Sequence, residues 1–136
     1  MRRTLGLGTL AGCLLLAGAC GGDDGPNAKR FEGDKKDVAA VIDDLQSFAR
    51  DGKADEICEE VFTAQLRATI KRETKTACSA RVEKQIVNDK ATFKLDKVRI
   101  DSKDTAVANV TDGSGTKSVL YLAKDDDKWR IGQIAQ

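Results

Sequence analysis

The apolar residues of this chain change their spacing once, near residue 92, and do not change back. From Val38 to Ile86 they recur three and four residues apart, the spacing of a helix face. From Phe93 to Ile134 they alternate in short runs, the spacing of a half-buried strand. Helices followed by strands exclude a repeating strand–helix–strand plan and leave an α+β fold: helices packed on one face of an antiparallel sheet. With 136 residues there is room for one such domain.

Within the first half, Val38, Val41, Ile42, Leu45, Phe48 and Ala49 form one stripe. Asp34 is the expected N-cap, supported by Asp37, and Gly52 the expected C-cap. "ADEICEEVF" gives a short second helix with Ile57, Cys58, Val61 and Phe62 on one face. Thr63 can cap a third, which buries Leu66 and Ile70. Cys78, Val82 and Ile86 mark a fourth. In the second half Phe93 and Leu95, then Val98 and Ile100, alternate on either side of an expected one-residue bulge. "TAVANV", "SVLYLA" and "KWRIGQI" follow as three more strands, separated by "DSKD", "TDGSGTK" and "KDDD", all turn material. Connections this short predict a meander of about four strands.

The N-terminus has a different character. Arg2 and Arg3 precede an apolar run, Leu5 to Ala19, that is short of the roughly 20 residues needed to span a bilayer. "AGAC", Ala17 to Cys20, resembles the bacterial lipobox. The resemblance implies a signal peptide over 1–19, lipid on Cys20, and a domain held to a membrane outside the cytoplasm. "LAGC", Leu10 to Cys13, fits the motif better letter by letter, with Leu three before the cysteine, but cutting there would leave "LLLAGA" on the mature chain. Cys20 has the full apolar run behind it and the polar "GGDDGPN" ahead. Residues 20–33 are therefore read as lipidated cysteine plus flexible tether, with a reach of about 20 Å over some 12 residues. The folded domain is expected over 34–136.

"LDKVRIDSKDTAVANV" and "KWRI", together with the order of elements, make residues 34–136 similar to the nuclear transport factor two-like, or cystatin-like, cone. That likeness implies a curved sheet wrapped on helices around a small pocket. Phe48, Phe62, Leu95, Tyr121 and Trp129 are candidates to face it. Lipoproteins of this layout often join their short helices through a cysteine pair. With Cys20 lipidated, Cys58 and Cys78 remain, and an oxidising compartment favours their bridging over two buried thiols. The bond would close a loop of about 20 residues and contribute about 3 kcal/mol.

Several functions are disfavoured. The chain has no histidine, so no serine–histidine or cysteine–histidine nucleophile and no histidine-completed zinc site can be built. No cofactor and no metal are expected. Asp125, Asp126 and Asp127 lack the alternating ligands of a calcium loop and read as a solvated turn. Without Arg2 and Arg3 the chain has 21 basic against 22 acidic residues, which gives no warrant for nucleic acid as a partner. Arg67, Lys71 and Lys75 step by four along one helix, diluted by Glu73 and Glu83, and read as a solvated face rather than a headgroup-binding one. The expectation is a non-catalytic module that binds a small apolar ligand or an envelope protein. The alternatives are a small cone-type isomerase or cyclase using a pocket carboxylate, and a structural accessory of an envelope complex.

Overall fold

The computed structural model describes residues 24–136. The leader, Cys13 and Cys20 lie outside the described residues. Helix α1 spans Gly33–Arg50, α2 Ala54–Glu56, α3 Ala64–Thr74 and α4 Cys78–Gln85. Strands β1 (Phe93–Ser102), β2 (Thr105–Asp112), β3 (Lys117–Asp125) and β4 (Lys128–Ala135) pair antiparallel in that order. The fold is α+β, with the helices on one face of a four-stranded meander.

Helix α1 begins two residues earlier than expected: its N-cap is Glu32, not Asp34, and its first residue is Gly33, with φ of +59°. Glu32 precedes it and makes no side-chain cap, so Asp34 serves in the first turn, where its charge meets the positive helix end. Its C-terminal end is as read. Gly52 adopts φ of +71° and lets the Lys53 N–H reach back to the Phe48 carbonyl at 2.9 Å. After α2 the backbone widens: the Phe62 N–H donates to the Ile57 carbonyl, five residues back, at 3.0 Å. The wide turn brings Ile57, Cys58 and Val61 inward together. Thr63 Oγ1 accepts the Leu66 N–H at 3.1 Å and caps α3. Cys58 and Cys78 form a disulfide, with Cα atoms 6.1 Å apart, that joins the wide turn to the first residue of α4.

The bulge in β1 falls between Leu95 and Lys97, so Asp96 is the extra residue. Leu95 and Val98 therefore keep to one face despite their odd spacing. Together with Ala106, Ala108, Leu120, Leu122, Trp129 and Ile131 they meet Val38, Ile42, Leu45 and Ala49 of α1 in one core. Between β3 and β4 the chain reverses through Asp126 and Asp127, both with positive φ, +52° and +62°. This is the two-residue hairpin turn whose twist matches its strands.

The packed body starts before residue 34. Asn27 is buried, and its side chain completes the backbone of β1: Nδ2 donates to the Phe93 carbonyl at 2.8 Å and Oδ1 accepts the Leu95 N–H at 2.9 Å. Asp43 of α1 accepts from Asn27 N, Asn27 Nδ2 and Ala28 N at 2.9–3.0 Å. Ala28–Arg30 form a 3₁₀ turn with Ala28 in the core. The stretch read as free tether thus includes a clasp, because the Phe93 carbonyl and Leu95 N–H on the edge of β1, and the Asp43 carboxylate, find partners in this segment.

Candidate functional site

Where the start of β1, the end of β2, the start of β3 and the end of β4 come together, α4 stops at Gln85 and leaves the sheet partly uncovered. A groove of about 360 Å³ opens there. Its apolar wall consists of Leu45 from α1, Ile86 after α4, Phe93, Val110, Leu120 and Ile134 from the four strands. Gln85, Asp112, Ser118 and Gln136 supply polar atoms. The groove exists because inward-facing positions at this end of the sheet carry medium or polar side chains: Ser118 takes the inward position two residues before Leu120. A second hollow of about 560 Å³ lies between α3, α4 and β4 and shares Gln85, Ile134 and Gln136 with the first. Ile134 is 41% exposed at their junction.

The groove's one carboxylate, Asp112, is already engaged. It accepts from the N–H and hydroxyl of Ser114 and from the Thr116 N–H at 2.7–3.0 Å. These bonds, led by the Ser114 hydroxyl, hold its carboxyl below the usual aspartate range. Asp112 shapes the β2–β3 turn and is poorly suited to take up a proton near neutral pH.

At the opposite ends of β3 and β4 lies a polar recess of about 360 Å³ lined by Asp37, Asp44, Glu60, Lys124 and Trp129, among others. Asp44 is an exposed residue at the rim of this recess, and partial desolvation there, then the charges of Asp43 and Glu60, raise its pKa. Lys124 Nζ sits 5.1 Å from the centre of the Trp129 ring. The buried Trp129 Nε1 has no hydrogen-bond partner among the described residues.

The five pocket candidates from the sequence do not share one cavity. Phe62 and Leu95 are core residues, at most 1% exposed. Phe48 packs partly buried on the core with Lys53 over its ring at 5.9 Å. Trp129 lines the polar recess and not the apolar groove. Tyr121 is 44% exposed on the face of the sheet away from the helices, because it lies between the buried Leu120 and Leu122. Of the groove residues, Leu45, Ile86 and Phe93 belong to stripes visible in the sequence, but Val110, Ser118 and Leu120 do not stand out there. The usable signal was a polar residue, Ser118, on the inward register of an otherwise apolar strand.

No group of three or more acidic or cysteine side chains among the described residues is placed to hold a metal ion. No described helix is long and apolar enough to cross a membrane. Family models, curated proteins and solved structures contain no match to this chain.

Proposed function

We propose that this chain is a lipoprotein held to a membrane through lipid on Cys20, facing outside the cytoplasm, and that its cone-like domain takes a small apolar ligand in the groove between Leu45, Ile86 and the ends of the four strands. The groove is the observation that carries the reading. Its volume of about 360 Å³ falls within the range of small-molecule sites, and six apolar side chains line it with a few polar atoms at hand. Binding without catalysis fits Asp112, whose oxygens are held by its own turn. Asp44, whose carboxyl is raised, lines the other recess. The anchor half of the reading rests on Arg2, Arg3, the run to Ala19 and "AGAC".

Both halves can be tested separately. Palmitate labelling in a bacterial host should be abolished by Cys20→Ser and kept by Cys13→Ser; the reverse pattern moves the anchor. For the groove, the unlipidated chain from Gly21 is purified with its disulfide formed and titrated with N-phenyl-1-naphthylamine. Fluorescence enhancement is expected for the wild type and its loss for Ser118→Trp, which fills the groove from an inward, half-buried position. A wild type that leaves the probe dark, or a variant that binds it equally well, sinks the ligand-binding reading.

A further inference from the structure

Charge is unevenly spread over the helices. Residues 33–62 contain nine acidic and four basic residues, a net charge of −5. Residues 64–85, which are α3, α4 and their turn, contain Arg67, Lys71, Arg72, Lys75, Arg81 and Lys84 against Glu73 and Glu83, a net charge of +4. The cysteine bridge at Cys78 ties this hairpin to the wide turn after α2.

The arginines divide along the same line. Outside the hairpin, Arg30 donates to the Leu95 carbonyl, Arg50 to Ala91, Arg130 to Glu59, and Arg99 to the Asp101 carboxylate. Inside it, the guanidinium groups of Arg67, Arg72 and Arg81 have no hydrogen-bond or ion-pair partner among the described residues. Glu73 and Arg81 line the same hollow between α3 and α4 without bonding to each other, and along each helix the spacing itself excludes pairing. Residues three and four away from Glu73 are Thr69, Ile70, Thr76 and Ala77; those around Glu83 are Ser79, Ala80, Ile86 and Val87. Neither acid can pair along its helix. Arg67, Lys71 and Lys75 instead repel one another at four-residue spacing, and Arg67 lies in the first turn of α3, the end of a helix that disfavours a cation. Six exposed or half-exposed cations are thus presented with no acidic partner bonded to them among the described residues.

We infer that the α3–α4 hairpin is a docking surface for the anionic headgroups of a phospholipid bilayer. This reverses the sequence reading of Arg67, Lys71 and Lys75 as a merely solvated face, because Arg72, Arg81 and Lys84 enlarge the basic set and none of its arginines is paired among the described residues. Guanidinium groups pair with phosphate oxygens two at a time, and three free arginines among lysines match a dense layer of phosphodiesters. Each basic residue near such a surface strengthens binding about fivefold. The inference builds on the proposal that the domain works beside a membrane.

The test uses the chain from Gly21 without lipid, with its disulfide formed, since the core and the bridge lie wholly within the described residues. It is sedimented with vesicles of phosphatidylcholine alone or with about one third phosphatidylglycerol, at low salt. Binding is expected to the anionic vesicles only, and to vanish at 1 M salt, where charges are screened beyond about 3 Å. Arg67→Gln/Arg72→Gln/Arg81→Gln should weaken partitioning roughly a hundredfold. Lys94→Gln/Lys97→Gln/Lys117→Gln removes the same charge from the sheet and should leave it within about threefold. Equal losses for the two triple variants, no binding to anionic vesicles, or release by millimolar inorganic phosphate would each overturn the inference. None of these outcomes involves an acyl chain or the groove, so the anchor and the ligand stand or fall on their own experiments.

Discussion

The body made of α1 and the sheet and the hairpin made of α3 and α4 are held by different forces. In the body, α1 buries Val38, Ala39, Val41, Ile42, Leu45 and Ala49 against inward residues of all four strands. Apart from Trp129 Nε1 and Arg130 Nε, buried polar side chains there find partners across long distances, Asn27 in Asp43 and β1, and Gln46 in the Phe93 N–H at 2.9 Å. In the hairpin only Leu66 of α3 and Val82 of α4 are fully buried. Cys78 begins α4 and is tied to Cys58, so a covalent link does there what packing does in the body. Nineteen residues separate the two cysteines, which places the whole of α3 inside the closed loop. The contrast teaches that this domain has two levels of stability: a cooperative core and a stapled appendage.

Four changes would break or sharpen that contrast. Leu95→Ala removes a fully buried side chain beside the bulge and should cost about 4 kcal/mol, with hydrogen-exchange protection falling across the whole body. Protection that fell in β1 alone and stayed unchanged in β3, β4 and α1 would refute a cooperative core. Cys58→Ala with Cys78→Ala should cost about 3 kcal/mol. Here protection should fall first in α3 and α4, and an equal loss in α1 would erase the distinction between the two regions. Asp127→Gly acts in the other direction. It relieves an L-residue at φ of +62° in a solvated turn of the body and should raise stability by about 0.5–1 kcal/mol in a urea melt.

The smallest effect concerns pH. Asp44 is exposed at the rim of the polar recess, yet partial desolvation raises its folded pKa above the ordinary 3.8, so its ionisation disfavours the folded state to a small extent. The cost is absent below pH 3.8, grows as pH rises through the folded value, and is complete above it. Asp44→Asn should therefore raise the melting temperature slightly at pH 7 and not at all near pH 3. A gain of equal size at both pH values would assign the effect to packing.

The order of elements, the bulge at Asp96, the Thr63 cap, the Gly52 terminus and the cysteine pair were legible because each has a local cause: periodicity, a capping hydroxyl, a glycine, or the oxidising compartment that the leader implies. The clasp at Asn27 was not legible. A single asparagine in a glycine- and aspartate-rich stretch has the composition of linker, and its partners lie 16 and more than 60 residues away. The groove was hard to see for a related reason. Aromatic residues draw attention as pocket walls, yet Phe62 and Trp129 were needed as core and Tyr121 fell on the outward register of β3. What lines the groove are ordinary aliphatic side chains whose shared position depends on where α4 stops.

The Asn27 clasp also changes how the domain would be held at a surface. If the anchor is Cys20, only about five residues separate it from the first hydrogen-bonded residues, so the leash shortens from about 20 Å to about 12 Å. That leash enters beside β1, one edge of the sheet, while α3 packs against β4, the other. Lipid at one edge and cations at the other would give two points of attachment on opposite sides of the molecule. A body fixed at one point swivels; fixed at two, it lies on its side, free to turn about one line only.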